Sequence, residues 1–176
     1  LIGCEFSGIV REAFRKKGHE AWSCDIIPSD DNSPYHIQDD ILNHLDDNYD
    51  MLICFPPCTH LCSSGARWFK DKIPQQKEAL EFVKKLLNCN IPKIALENPI
   101  GIISTRIKKP GQIIQPYQFG HGETKATCLW LKNLPKLKPT NIVKGREARI
   151  HNMPPTKDRS KLRSITYTGI AKAMSE

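Results

Sequence analysis

Two short apolar runs, Met51-Leu52-Ile53-Cys54 and Ile94-Ala95-Leu96, flank the clearest helical pattern in the chain. In that helical segment, Gln75–Asn88, residues Ala79, Leu80, Phe82, Val83, Leu86 and Leu87 form one apolar stripe. Continuous apolar runs suit strands covered on both faces, and strands joined through a helix lie parallel in one sheet. Each run therefore delivers the residues after it to the carboxyl edge of the sheet, where open α/β folds build their sites. The first run delivers a thiol on a proline-stiffened turn, Phe55-Pro56-Pro57-Cys58, and the second a carboxyl group, Glu97-Asn98-Pro99.

The rest of the chain extends the same pattern. Leu1–Glu5 reads as a strand, followed by a turn at Phe6-Ser7-Gly8. A helix from Ile9 to Lys17 places Ile9, Val10, Ala13 and Phe14 on one face and stops at Gly18. Ala21–Cys24 is a second strand closed by Asp25, a unit that commonly sets a small-residue turn against a ligand and a carboxylate against a ribose. Ile37–Ile41 leads into a short helical stretch, Asp50–Phe55 is the third strand and Lys93–Leu96 the next. Beyond Gly101 the pattern turns irregular and proline-rich, and recovers as a strand at Thr127–Leu131 and a helix from Thr168. The fold expected is α/β, with a mostly parallel sheet and one domain over residues 1–176.

Composition limits the partners. No apolar stretch reaches the roughly 18–20 residues of a membrane helix. The net charge of +7 favours a polyanion, with basic residues thickening from Lys144 through Arg163. Seven cysteines, an odd number scattered through an ordinary core composition, argue for thiols in a reducing cytoplasm. Cys4, Cys24, Cys54 and Cys128 fall in apolar runs and are expected in the core. Cys58-Thr59-His60-Leu61-Cys62 has suggestive spacing, but no second Cys/His pair lies at zinc-site distance, so no metal is expected.

A thiol beside an acid suits pyrimidine chemistry. C5 of a pyrimidine is a poor nucleophile; adding a thiolate to C6 makes it enamine-like, and a proton at N3 absorbs the developing charge. Cys58 and Glu97 fit those two roles, and Asn98 can orient the carboxyl or satisfy nearby backbone.

The order and spacing of these segments resemble the cytosine-C5 DNA methyltransferase family, in the shortened form found in phages and prophages. Glu5-Phe6-Ser7-Gly8 resembles its first motif, the turn near the methionine part of S-adenosyl-L-methionine. Asp25-Ile26 stands where an acidic residue meets the cofactor ribose, and Asp40-Ile41 where an aspartate meets the adenine amino group. Pro56-Pro57-Cys58 matches the nucleophile loop, with both prolines on the cofactor side, and Glu97-Asn98 matches the Glu-Asn motif. The resemblance implies a Rossmann-like methyltransferase fold, S-adenosyl-L-methionine as cofactor, Cys58 as nucleophile, Glu97 as donor to N3, and a DNA base flipped from its stack.

The departures also matter. Thr59-His60 comes after the cysteine where the family has Gln, and Pro99 stands where it has Val. The bracing arginine motif is not recognisable; Lys125 is the candidate for its charge. Tyr167-Thr168-Gly169-Ile170 loosely resembles the last motif near the cofactor. The roughly seventy residues after Gly101 leave no room for a long target-recognition domain. Arg67, Trp68 and Phe69 are candidates to clamp a base, and His60 and His121 for proton transfer or phosphate contact. The alternatives are a catalytically silent nucleic-acid-binding relative, or the same chemistry on RNA or another pyrimidine.

Overall fold

The computed structural model describes residues 1–64 and 71–176. Strands β1 (Ile2–Gly3), β2 (Ser23–Asp25), β3 (His36–Gln38), β4 (Met51–Cys54), β5 (Lys93–Pro99), β6 (Gln112–Ile114) and β7 (Thr127–Lys132) form one sheet. Their spatial order is β3-β2-β1-β4-β5-β7-β6. Pairings among the first five are parallel, and β7 runs antiparallel to both β5 and β6. The switch in connection direction falls between β1 and β4, where such sheets open a crevice at their carboxyl ends.

Alternation along the central strands explains the layers. Leu52 and Cys54 of β4 and Ile94 and Leu96 of β5 join Val83 and Leu86 of α2 (Ile73–Asn88) in one core, with Trp130 of β7. Ile53 and Ala95, pointing the other way, pack with Val10 and Phe14 of α1 (Ile9–Lys16) and Ala171 of α6 (Thr168–Met174). The strands are thus buried on both faces, which is why they read as continuous apolar runs. Short helices α3 (Ile103–Arg106), α4 (Arg149–Asn152) and α5 (Arg159–Ser164) lie between β5 and α6 in the chain. Among the described residues no helix is long and apolar enough to cross a membrane.

Several boundaries differ from expectation. The first strand ends at Gly3 rather than Glu5, because Cys4 takes a left-handed backbone (φ 55°) that leaves the ladder and begins the turn into α1. The Glu97-Asn98-Pro99 segment does not come after a strand but completes one. Glu97, Asn98 and Pro99 pair with Leu129, Cys128 and Thr127, so the antiparallel partner extends β5 past its apolar run. β3 and β6 are three-residue strands that sequence periodicity does not reveal.

Candidate active site

The thiol loop is built by three local constraints. Pro56 and Pro57 fix two φ angles after β4. The Cys58 carbonyl accepts from the N–H groups of both Leu61 and Cys62 at 3.0 Å, which winds one turn and brings the Cys62 thiol beside that of Cys58. The Asn98 amide donates to the Pro56 carbonyl at 2.8 Å, tying the loop to β5. Of the two roles open to Asn98, the structure shows backbone satisfaction.

The same loop is stitched to the exit of β5. Ser63 N–H and its hydroxyl each donate to the Ile100 carbonyl at 3.0 Å, and Ile102 N–H donates to the Leu61 carbonyl at 2.8 Å. Gly101 permits this approach: a Cβ there would lie 2.8 Å from the Cys62 Cα and closer still to the Leu61 carbonyl. Both neighbours are backbone and cannot swing aside. We expect Gly101→Ala to cost about 1–3 kcal/mol of stability by overpacking. It should also displace Cys58, measured as a lower melting temperature together with a change in Cys58 alkylation rate.

Glu97 and Lys125 complete the cluster. Glu97 sits half-buried at the exit of β5, and its carboxyl is hydrogen-bonded to Thr127. Burial pushes it above the ordinary carboxylate range, against the opposing pull of the Lys125 ammonium and the Thr127 hydrogen bond. The Cys58 thiol is pushed far above its usual range by its hydrogen bond to Cys62, by burial and by the Glu97 charge; Lys125 opposes this. Lys125 itself is anchored, its Nζ donating to the Arg163 carbonyl at 2.9 Å and its N–H to Gln115 Oε1 at 3.0 Å. The cation that faces both reactive groups is therefore fixed in place. Replacing it by Met should slow alkylation of Cys58 by iodoacetamide at pH 8 by roughly three- to tenfold, since a neighbouring cation favours the thiolate. An unchanged rate would detach Lys125 from the thiol.

A cavity of about 360 Å³ opens beside this cluster, within the range of small-ligand pockets. Cys62, Pro99, Ile100 and Ile150 supply apolar wall, and Gln115, Lys125, His151 and Arg163 supply polar groups. Two buried polar atoms near the loop, Asn98 Oδ1 and His60 Nδ1, have no hydrogen-bond partner among the described residues. Buried polar atoms of this kind are places where water or a ligand can supply the partner.

The β1–α1 turn and the end of β2 form the second half of the edge. Glu5 does not face outward: buried, it accepts from Val10 N–H at 2.6 Å and Arg11 N–H at 3.2 Å, so its carboxylate holds the start of α1. Burial raises its pKa, and these backbone bonds oppose the rise. Phe6 is buried, and Lys161 Nζ lies 5.2 Å from its ring centroid; Ser7 Oγ bonds to Glu5 at 3.4 Å. Gly8 is left-handed (φ 71°), and the space a Cβ would take is filled by the Arg11–Asp31 ion pair. Asp25 accepts from Ile27 N–H with Oδ1 at 3.2 Å, and burial raises its pKa. The adjoining Ile26 is 73% exposed. Asp40 caps the short turn after β3 by accepting from Leu42 N–H at 3.0 Å, whereas Ile41 is a core residue under Gly3. Pro56 is buried and Pro57 exposed.

These observations bear on S-adenosyl-L-methionine. A carboxylate beside an exposed aliphatic side chain at the end of β2, Asp25 and Ile26, is a pairing of the kind that suits a nucleoside. Glu5 and Ile41 point into the protein, so their side chains shape the turn and the floor, and only backbone from those two could meet a ligand.

Sequence reasoning missed Cys62 as a partner of Cys58, although its position four residues on is where one helical turn would bring it. It missed Arg11, which is wholly buried between Ser23, Glu12 and Asp31. His121 is tied to the start of α6, its Nε2 accepting from Gly169 N–H at 3.1 Å. Arg67, Trp68 and Phe69 lie outside the described residues.

No family model matches the chain, and no curated protein matches it in sequence. Among solved structures, it is similar to an E. coli protein named as a DNA modification methyltransferase encoded within a prophage. The TM-score is 0.50 at 15% identity, covering 88% of this chain and 55% of that one. S. pombe Dnmt2 methyltransferase gives a TM-score of 0.45 at 16% identity, covering 85% and 52%. The chain therefore spans about half the length of these neighbours. The likeness to the first of them, with the seven-stranded, mostly parallel sheet, shows a Rossmann-like α/β fold shared with that protein.

Proposed function

We propose that the chain is an S-adenosyl-L-methionine-dependent methyltransferase that methylates C5 of cytosine in DNA through a covalent bond to Cys58, with residues 1–176 acting as one catalytic domain. The observation that carries this reading is the meeting of Cys58, Glu97 and Lys125 at the exits of adjacent parallel strands, beside a nucleotide-sized cavity. The prophage methyltransferase that shares the fold supports DNA as the substrate.

Each group has a defined task. The Cys58 thiolate adds to C6 of the cytosine, and the displaced electron pair is delocalised toward N3 and C5. Glu97, favoured in its protonated form by burial, donates to N3 and takes up the charge that would otherwise develop there. Lys125 favours ionisation of Cys58, whose resting thiol is strongly held protonated. Asn98 keeps the nucleophile loop on β5. S-adenosyl-L-methionine, when bound, supplies the electrophilic methyl group. Loss of the C5 proton to water, return of the N3 proton to Glu97 and elimination of the Cys58 thiolate then restore the aromatic ring and the free cysteine.

The strongly protonated thiol also favours a second reading, a silent nucleic-acid-binding relative. One experiment separates the two. The intact chain is incubated with isotopically labelled S-adenosyl-L-methionine and unmethylated DNA or tRNA, and the product is digested to nucleosides. Labelled 5-methyl-2′-deoxycytidine is expected. Label in the ribonucleoside would move the substrate to RNA, and binding without label would sink the methylation reading.

A further inference from the structure

The segment 144–163 carries seven basic residues against two acidic ones, Glu147 and Asp158. It borders the cavity directly, with Ile150 and His151 of α4 and Arg163 of α5 in its lining. Its attachment to the body is largely polar. α5 buries no residue, and the contacts that hold it among the described residues include the Lys161–Asp30 ion pair, Lys161 over the Phe6 ring and the Lys125 hydrogen bond to the Arg163 carbonyl. Arg159 Nε is buried without a partner among the described residues, and Leu162 is 48% exposed.

This arrangement does not suit groove reading. α4 and α5 have four and six residues, and at 1.5 Å per residue even α5 is only about 9 Å long. Reading a duplex needs a helix or ribbon laid into the major groove. A basic rim around a cavity, tracking a sugar–phosphate backbone while one nucleotide drops inward, is how single strands are held. An unpaired target also avoids the few kcal/mol needed to extract a base from a duplex.

We propose that residues 144–163 form a clamp for single-stranded DNA, with backbone phosphates on Lys157, Arg159 and Arg163 and one nucleotide in the cavity beneath. This rests on the reading of the chain as a DNA methyltransferase and names its preferred substrate form. Lys136 and Lys138, which come after β7 at the opposite, amino edge of the sheet, take no part.

The test is fluorescence anisotropy with the intact chain, a labelled non-self-complementary 16-mer of adenine and thymine only, and its duplex. At about 0.1 M salt the single strand should bind at least tenfold more tightly than the duplex. Removing three phosphate contacts in Lys157→Ser/Arg159→Ser/Arg163→Ser should flatten the log–log salt dependence by about 2, from roughly 0.7 per contact on a single strand. Arg159→Lys/Arg163→Lys should keep the slope, because the charge is retained, and Lys136→Ser/Lys138→Ser should leave binding unchanged. A triple variant that binds as the intact chain does, or equal affinity for duplex, overturns the clamp. Because the probe contains no cytosine, binding is read independently of methylation. Tight single-strand binding without methyl transfer would overturn only the methylation reading; methyl transfer untouched by the triple variant would overturn only the clamp.

Discussion

Replacing Glu97 by Ala should lower methyl transfer by about 10²–10⁴-fold, the usual contribution of a positioned acid. The effect is chemical, since Glu97 sits near the exit of β5 with Thr127 as its one side-chain hydrogen-bond partner among the described residues. Its sign with pH is a sharper check. Burial raises the Glu97 pKa, so the proton needed at N3 is present at lower pH and is lost as pH rises through that raised value. Glu97→Gln keeps an N–H donor that never titrates. Measured from pH 5 to 9, the ratio of variant to wild-type kcat/KM should therefore rise with pH, approaching tenfold per unit above the carboxyl's pKa. A ratio that is flat would remove Glu97 from the proton inventory.

The largest expected effect on stability lies at Arg11. Its side chain is 0% exposed and donates to Ser23 Oγ at 2.8 Å while pairing with Glu12 and Asp31. Cutting one partner of a buried pair costs about 3–5 kcal/mol when the other charge is stranded. Here both carboxylates are about 40% exposed and can rehydrate, so Arg11→Met should fall at the lower end, about 3 kcal/mol. For a domain of this size that is a drop of roughly 6–12 °C in melting temperature. Asp31→Asn should cost at least as much, about 3–5 kcal/mol, because it leaves the wholly buried guanidinium with Glu12 as its remaining carboxylate. Asp31 also has a pH signature. Burial opposes its ionisation, but hydrogen bonds from Ser29 and the Arg11 charge prevail and hold its pKa below 3.8. Its contribution is thus present above that value and lost as pH falls through the lower, folded value. A loss in Asp31→Asn far below that in Arg11→Met would mean that packing around Arg11, and not its buried charge, sets the cost.

The central half of the sheet was legible because β4 and β5 are buried on both faces, and burial leaves an apolar run in sequence. The short edge strands β3 and β6 leave no such trace: His36 and Ile37 are half-buried, Gln38 and Ile113 exposed. The strand character of Glu97-Asn98-Pro99 depends on Thr127–Leu129, some thirty residues away, which no local pattern encodes. The same register explains Lys125. It lies two residues before Thr127, which pairs with Pro99, so it falls over the exit of β5. Its place is fixed once β7 is known to run antiparallel. Arg11 shows the opposite failure. The apolar face of α1 leaves it on the side that periodicity assigns to solvent, yet the loop carrying Asp31, twenty residues on, folds over it. The thiol and the carboxyl were readable because each comes directly after an apolar strand run; the cation and the cavity were not, because tertiary pairing assembles them.

The central claim is that Cys58 attacks C6 of cytosine, and a trapped complex tests it most directly. A DNA strand carrying 5-fluoro-2′-deoxycytidine is incubated with S-adenosyl-L-methionine and the intact chain, as single strand and as duplex. Fluorine at C5 cannot leave as a proton does, so the cycle stops with the sulfur–C6 bond intact. The expected result is a protein–DNA adduct stable to denaturing electrophoresis, mapped by mass spectrometry to Cys58 and absent from Cys58→Ala. No adduct from the intact chain on DNA that it demonstrably binds, or an adduct that persists in Cys58→Ala, would contradict the assignment.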